Sequence, residues 1–424
     1  MPLDRRELLG ALGGLAAARI LDPARLAGAA PPQEPATFPA PDAAFPRRAD
    51  FALADGLTYL NAAYTHPVPR VAMQAAQAAA ARRAGVQPAP AADAQPSPRA
   101  LFARLVGATP GEIAYVSSTS EAENLVVRAL GLDHRRDGNV VTDGLHFEGA
   151  LMHLEVLRQR GLEVRVVRPT ADARVRLEDL DAAMDARTRL VEVTATAMYN
   201  GFQHDLAAIA RLAHARGALV YADIVHAAGA EPLDLPATGV DFAACSSFKW
   251  LMGDFGLGFL YVREAVLDRL ERPVVGYYQA PDLAQDLPPR WSAPTPVHFT
   301  PERTAAGHFE MGALTGSVGT GVALLSASLR YVLALGVDRI QAHRQPLLAR
   351  LRAEVPPLGF TCVTPPGSTG ALLTFTRPGL AASDLPRRLA AAQVHVRIAD
   401  DWMRCSPSVY NDESDVQRLV AALR

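Results

Sequence analysis

Between residues 113 and 262, short apolar segments alternate with amphipathic ones, and few folds accept that pattern. Strands are expected at 113–116, 140–142, 164–167, 190–194, 218–222, 242–246 and 259–262. Helical stretches at 121–130, 150–160 and 206–216 separate several of them. A strand can return parallel to its neighbour only through a crossover long enough to hold a helix. The expected class is therefore α/β, with a mostly parallel seven-stranded sheet covered on both faces. Such sheets bind ligands at the carboxyl ends of their strands, so functional residues should follow the strands.

The 424 residues are 49% hydrophobic and 20% charged, enough apolar material for one large core and a smaller domain. A net charge of -2 supplies no basic field for nucleic acid and no polybasic face for a membrane. No stretch is long and apolar enough to span a bilayer, which leaves a small molecule as the expected partner. Residues 1–30 resemble a twin-arginine export signal: Arg5-Arg6, an apolar stretch at 8–18, then Ala27-Gly28-Ala29. Asp4 and Glu7 flank the arginine pair. The signal implies a periplasmic or secreted protein; without it the location is cytoplasmic. Residues 31–48 read as a Pro/Ala-rich linker. A short strand at 58–60 ends at Asn61, a helix follows at 73–83, and 86–98 is a low-complexity loop. The large domain is expected at 49–335, with 49–100 partly joining a smaller α+β C-terminal domain at 336–424. That domain carries a helix at 337–355, strands near 360–363 and 371–376, and a last helix from Ser414.

Three segments carry the chemistry. Asp223, in Tyr221-Ala222-Asp223-Ile224-Val225-His226, ends a buried strand where an uncompensated carboxylate is costly and a cationic partner relieves the cost. Lys249, in Ser246-Ser247-Phe248-Lys249-Trp250, sits among apolar and aromatic neighbours that lower an amine's pKa and make it a nucleophile. Ser117-Ser118-Thr119-Ser120-Glu121 sets hydroxyls at a helix N-terminus, where phosphate binds. An acid, an amine and a phosphate cradle together suit a phosphorylated pyridine aldehyde. No HExxH, GxSxG or GxxxxGK[ST] competes. The glycines of 253–258 precede a strand, so they make a poor dinucleotide fingerprint. Cys245, Cys362 and Cys405 form no CxxC, and neither a disulfide framework nor a metal site is expected.

From about residue 55 onward these segments resemble the class V aminotransferases, a family that includes cysteine desulfurases, kynureninase and isopenicillin N epimerase-like proteins. The 26 residues from Asp223 to Lys249 suit its pattern. The resemblance implies the PLP-dependent transferase fold (fold type I), with the large domain binding pyridoxal 5'-phosphate. By it, Lys249 carries the cofactor as a Schiff base and shuttles protons, and Asp223 pairs with the pyridine nitrogen. The phosphate falls to Ser118, Thr119, Ser120 and Ser246. Phe147 stacks on the ring, with His146 as the alternative one residue away. Arg404 receives the substrate carboxylate, as a guanidinium fork fits a carboxylate bidentately. Asn61 and Tyr277 are further substrate contacts, and Tyr277 serves equally as packing. A homodimer is implied, with the 308–315 segment near the partner's phosphate site.

The chain departs from the family at several points. His226 stands where Gln is common and is expected to touch the cofactor. Met198 replaces an Asn that often reaches the phenolic oxygen, with Asn200 close by. Phe248 replaces a desulfurase His, and Gly312-Ala313 replaces Gly-Thr. A desulfurase needs a mobile thiol shortly before the arginine segment, and 394–403 contains none. The expected function is therefore a PLP enzyme acting on an amino acid at Cα or Cβ, by transamination or elimination, with epimerisation next. The alternatives are a PLP-binding module without turnover, or a cysteine desulfurase or C–S lyase. For the leader, Arg5→Lys with Arg6→Lys should hold the protein in the cytoplasm; a double variant that still reaches the cell envelope sinks the export reading.

Overall fold

A computed structural model of the chain describes residues 36–85, 96–276, 279, 300–312 and 319–424. The export segment, the loop at 86–95, Tyr277 and Ala313 lie outside the described residues. From Thr37 on, the chain forms one compact unit. It opens with β1 (Thr58–Tyr59), α1 (Arg70–Ala84) and α2 (Pro98–Leu105). The alternating region follows as β2 (Ile113–Val116), α3 (Thr119–Ala129), β3 (Asn139–Asp143), α4 (Glu148–Gln159), β4 (Glu163–Val167), α5 (Leu177–Ala183), β5 (Thr188–Thr194), α6 (Leu206–His214), β6 (Leu219–Asp223), β7 (Phe242–Ser246) and β8 (Gly258–Val262).

These seven strands pair in the order β2-β8-β7-β6-β5-β3-β4. Every pairing is parallel except the two made by β8. Side chains alternate between the two faces with period two. Val191, Val193, Val220, Ala222 and Phe259 pack on one side with Phe102 of α2 and Ile209 of α6. Val140, Leu190, Tyr221 and Phe242 pack on the other with Leu125 and Val126 of α3 and Leu154 and Leu157 of α4. Both faces are covered, so β7 is buried along its whole length. Each fully buried side chain of Leu or Phe size contributes about 1.5–3 kcal/mol.

Helices start where polar caps satisfy free N–H groups. Ser118 caps α3 and Asp205 caps α6. The chain continues through α7 (Thr320–Leu335), α8 (Val337–Glu354), β9 (Thr361–Cys362), β10 (Leu373–Thr376), α9 (Leu385–Ala391), β11 (Val394–His395), β12 (Arg397–Ala399), β13 (Trp402–Cys405) and α10 (Glu413–Leu423). A four-stranded antiparallel sheet, β12-β13-β10-β9, packs on α8 and α10 through Leu351, Phe375, Met403 and Leu419. The N-terminal β1 pairs in parallel with β11. Among the described residues no single helix is long and apolar enough to cross a membrane.

One glycine couples this frame to the cleft described next. Gly229 has φ +81°, and a Cβ on it would stand 2.7 Å from the Trp250 carbonyl oxygen. Gly229→Ala combines left-handed strain with a backbone clash and should destabilise by on the order of 2 kcal/mol. A urea titration would read this as a lower midpoint; an unchanged midpoint contradicts it.

Candidate active site

Strand β2 runs straight into α3. The Ser118 hydroxyl accepts from Glu121 N at 3.1 Å, and the Glu121 carboxylate reaches back to Ser117 N. This cap sets Thr119 and Ser120 in the first turn, at the positive end of the helix dipole. From β7, Ser246 Oγ accepts from Thr119 N at 3.1 Å. The Tyr221 hydroxyl donates to Thr119 O at 3.1 Å and ties β6 to the same turn. The hydroxyls of Ser118, Thr119, Ser120 and Ser246 therefore gather at one helix N-terminus, braced by that of Tyr221.

Asp223 closes β6, is buried, and accepts from Val225 N at 2.9 Å. Burial pushes its carboxyl above the usual range, while His146, the Val225 N–H and Lys249 pull it back. A cation inside the cleft would remove that cost.

Lys249 sits in the connection between β7 and β8. Ser247 N donates to Leu257 O at 2.9 Å, Gly253 N to Ser247 O at 2.8 Å, and Met252 N to Lys249 O at 2.9 Å. Ser247 Oγ donates to Asp254 O at 2.7 Å, so the loop is cross-braced. Burial pulls the Lys249 amine down to about 8, against the opposing field of Asp223. Its hydrogen-bond partner is His226 Nε2 at 3.2 Å. Trp250 Nε1, a donor only, points at His226 Nδ1 from 3.4 Å. Nδ1 then accepts and Nε2 carries the hydrogen, so that above pH about 8, where the Lys249 amine loses its proton, His226 donates to the amine lone pair. Burial drives the imidazole well below its ordinary pKa, which keeps it neutral.

One cleft brings together Ser118, Thr119, Ser120, Phe147, Asp223, His226, Ser246 and Lys249. Its space is about 560 Å³, including the open mouth. Met198 and Phe248, which stand at two of the departures from the family pattern, complete the lining with Thr194 and Val225, which the sequence does not single out. Thr194 was findable as the last residue of a strand beside β6, whereas Val225 carries no polar signal.

Other expected residues do not line the cleft. His146 is fully buried and does not line the cleft. Asn200 Nδ2 donates to Ala173 O at 2.6 Å and its Oδ1 accepts from Phe202 N at 3.0 Å, so the side chain braces its own loop. Asn61 is buried and bridges Ser406 through its backbone, away from the lining. Arg404 lies within β13 and is buried; Nη1 donates to Met198 O at 3.0 Å and Nε has no partner. Among the described residues no carboxylate pairs with it, and burial lowers its guanidinium to about 10.

A phosphate fits the capped helix, a protonated pyridine nitrogen fits the buried Asp223, and an aldehyde fits the Lys249 amine, which burial makes easy to deprotonate. The sheet and this cleft define a PLP-dependent enzyme of fold type I. Residues 58–419 match the family model described as Aminotransferase class-V, and the chain belongs to that family. A probable cysteine desulfurase of Methanothermobacter thermautotrophicus is 31% identical over 294 residues, 69% of each chain. Among solved structures, the Escherichia coli cysteine desulfurase CsdA superposes with TM-score 0.75 at 24% identity, over 88% of this chain and 96% of that one. C-DES, a cystine C–S lyase, gives 0.74 at 21% over 89% and 99%, in a form with glycine covalently linked to its PLP cofactor.

The lowered amine is directly measurable. In cofactor-free protein, acylation of Lys249 by a small reagent, mapped by peptide mass, should rise through pH about 8. A rise only near the ordinary lysine value of 10.5 contradicts the buried, neutral amine.

Proposed function

We propose that this enzyme acts on an amino acid at Cα or Cβ through Lys249, by transamination or elimination and without an enzyme thiol. The observation that carries this reading is a lysine amine lowered to about 8, with a buried arginine that meets no carboxylate, at a cleft that no cysteine lines. The bound cofactor supplies an aldehyde for imine exchange and a cationic ring that takes up electrons. Everything else falls to the chain. Arg404 receives the substrate carboxylate and orients Cα. Lys249 Nζ takes the Cα proton, and His226 Nε2, 3.2 Å away, holds the resting amine in position. Asp223 would hold the ring nitrogen protonated, and Ser118, Thr119, Ser120 and Ser246 would hold the phosphate. Phe147 covers the ring.

Epimerisation needs a proton donor on the opposite face. Phe147 offers none and His146 does not line the cleft, which supports ranking epimerisation below the other two. Homodimer assembly belongs to the same proposal and rests on the family resemblance.

A second reading, cysteine desulfuration, is favoured by the names of the relatives. It requires a reachable thiol. Cys245 and Cys405 are fully buried in strands and pushed far above the ordinary thiol range. Cys362 is half-buried on β9, with Arg352 Nη1 3.5 Å from its sulfur.

The test is a panel of amino acids, cysteine and cystine included, incubated with holoenzyme in deuterated water while Cα exchange and keto-acid release are followed. Exchange with keto acid is expected, unchanged in Cys362→Ser. Arg404→Gln should raise KM roughly 10- to 100-fold, the loss of charged hydrogen bonds of about 1.5–3 kcal/mol. Racemisation without keto acid overturns the ranking. Persulfide on Cys362, with activity lost in Cys362→Ser, establishes the second reading. No exchange with any substrate makes the protein a binding module.

A further inference from the structure

A polar pocket is sealed into the apolar layer between the central sheet and helices α3 and α4. Thr142, Glu192 and Tyr221 stand in register across β3, β5 and β6. The preceding row on that face is Val140, Leu190 and Leu219, all core. Glu123 of α3 and His146, from the turn before α4, reach the same spot. Glu123, His146 and Glu192 each bring one donor atom within 4.8 Å of the other two. Glu192 and His146 are fully buried and Glu123 nearly so. Neither oxygen of Glu192, neither ring nitrogen of His146 nor the Thr142 hydroxyl has a hydrogen-bond partner. Unpartnered buried polar atoms are costly, and two carboxylates at this range repel when both are ionised. A cation between them relieves both costs.

We propose that Glu123, His146 and Glu192 bind a divalent cation of the zinc or manganese kind. Two carboxylates and an imidazole are a borderline donor set, too poor in oxygen for calcium and well matched to such ions. Donors stand about 2.0–2.2 Å from an ion of this size, so the side chains draw in slightly on binding. The Thr142 hydroxyl or a water completes the shell. His153 Nδ1 lies 3.0 Å from Glu123 Oε1 and orients that carboxylate from behind.

The site touches three walls of the cleft. Glu123 is on the helix whose first turn carries Thr119 and Ser120. His146 immediately precedes Phe147, and Glu192 lies two residues before Thr194. The ion would pin the phosphate cradle, the aromatic cover and the β5 end to one another. It holds these walls in place and takes no part in bond breaking.

The experiment is metal analysis by mass spectrometry on holoenzyme purified without a metal-affinity step. About one equivalent of zinc or manganese per chain is expected. Protein stripped with a chelator should take back zinc or manganese in a calorimetric titration, with a rise in Tm and tighter PLP binding. Glu192→Gln and Glu123→Gln should abolish uptake, and His153→Ala should weaken it about 10- to 100-fold. If the acid variants fail to fold, the wild-type stoichiometry and His153→Ala decide. The proposal is overturned if native protein holds no such ion and stripped protein takes up neither at millimolar concentration. It is equally overturned if the variants retain as much metal as the wild type.

Discussion

Two ionisable groups of opposite sign, buried at neighbouring strand ends and kept from touching, organise the cleft. The field of Asp223 raises the Lys249 amine and burial lowers it, and burial prevails. On the acid the same pair of influences acts with reversed sign, and burial prevails again. A direct ion pair would quench both groups. Instead the amine reaches His226 and the carboxylate reaches the Val225 N–H, so the space between them stays polarised. A molecule with a cationic nitrogen at one end and an electrophilic carbon near the other satisfies both groups at once.

The sheet makes that separation rigid. Parallel pairing of β6 with β7 sets Asp223 beside Ala244, so the acid and the lysine loop leave adjacent strands at one edge. Antiparallel β8 then folds back on β7 with Ser246 opposite Gly258, and the lysine loop becomes a short, braced connection. A Cβ at Gly258 would stand 2.6 Å from the Cys245 carbonyl oxygen, so the hairpin closes only on glycine. Geometry of this kind holds an amine in place without a salt bridge.

Much of this was legible beforehand. The seven strands begin and end within two residues of their expected bounds, because the strands buried on both faces leave near-continuous apolar runs bounded by turn residues, and only the edge strand β4 is mostly half-buried. Asp223 and Lys249 were legible because each follows a strand at a fixed separation. Phe147 against His146 was not, since a turn of one residue more or less exchanges which side chain faces the cleft. Arg404 lies within β13, whose pairing with β10 joins residues about thirty positions apart, so its strand was not legible from local pattern. Asn200 looked available for the cofactor, and its loop consumes both ends of its amide. Glu192 was visible as an acid inside an apolar strand, but Glu123 and His146 meet it only through tertiary packing.

The relatives' names and the cysteine pattern pull in different directions, and the small domain explains how both can hold. What the chain has in common with the class V aminotransferase family spans residues 58–419, and that span includes the cleft suited to PLP. A thiol nucleophile is an addition to that cleft, made in a loop near the arginine. Here the corresponding stretch is occupied by structure. Val394 and His395 pair with Thr58 and Tyr59, and Arg397 to Ala399 pair with β13 in register with Arg404. A segment committed to two ladders does not swing into the cleft, and it has no sulfur to bring. Proton removal at Cα is the chemistry the remaining groups support, and the fate of the Cβ substituent then depends on the substrate's own leaving group.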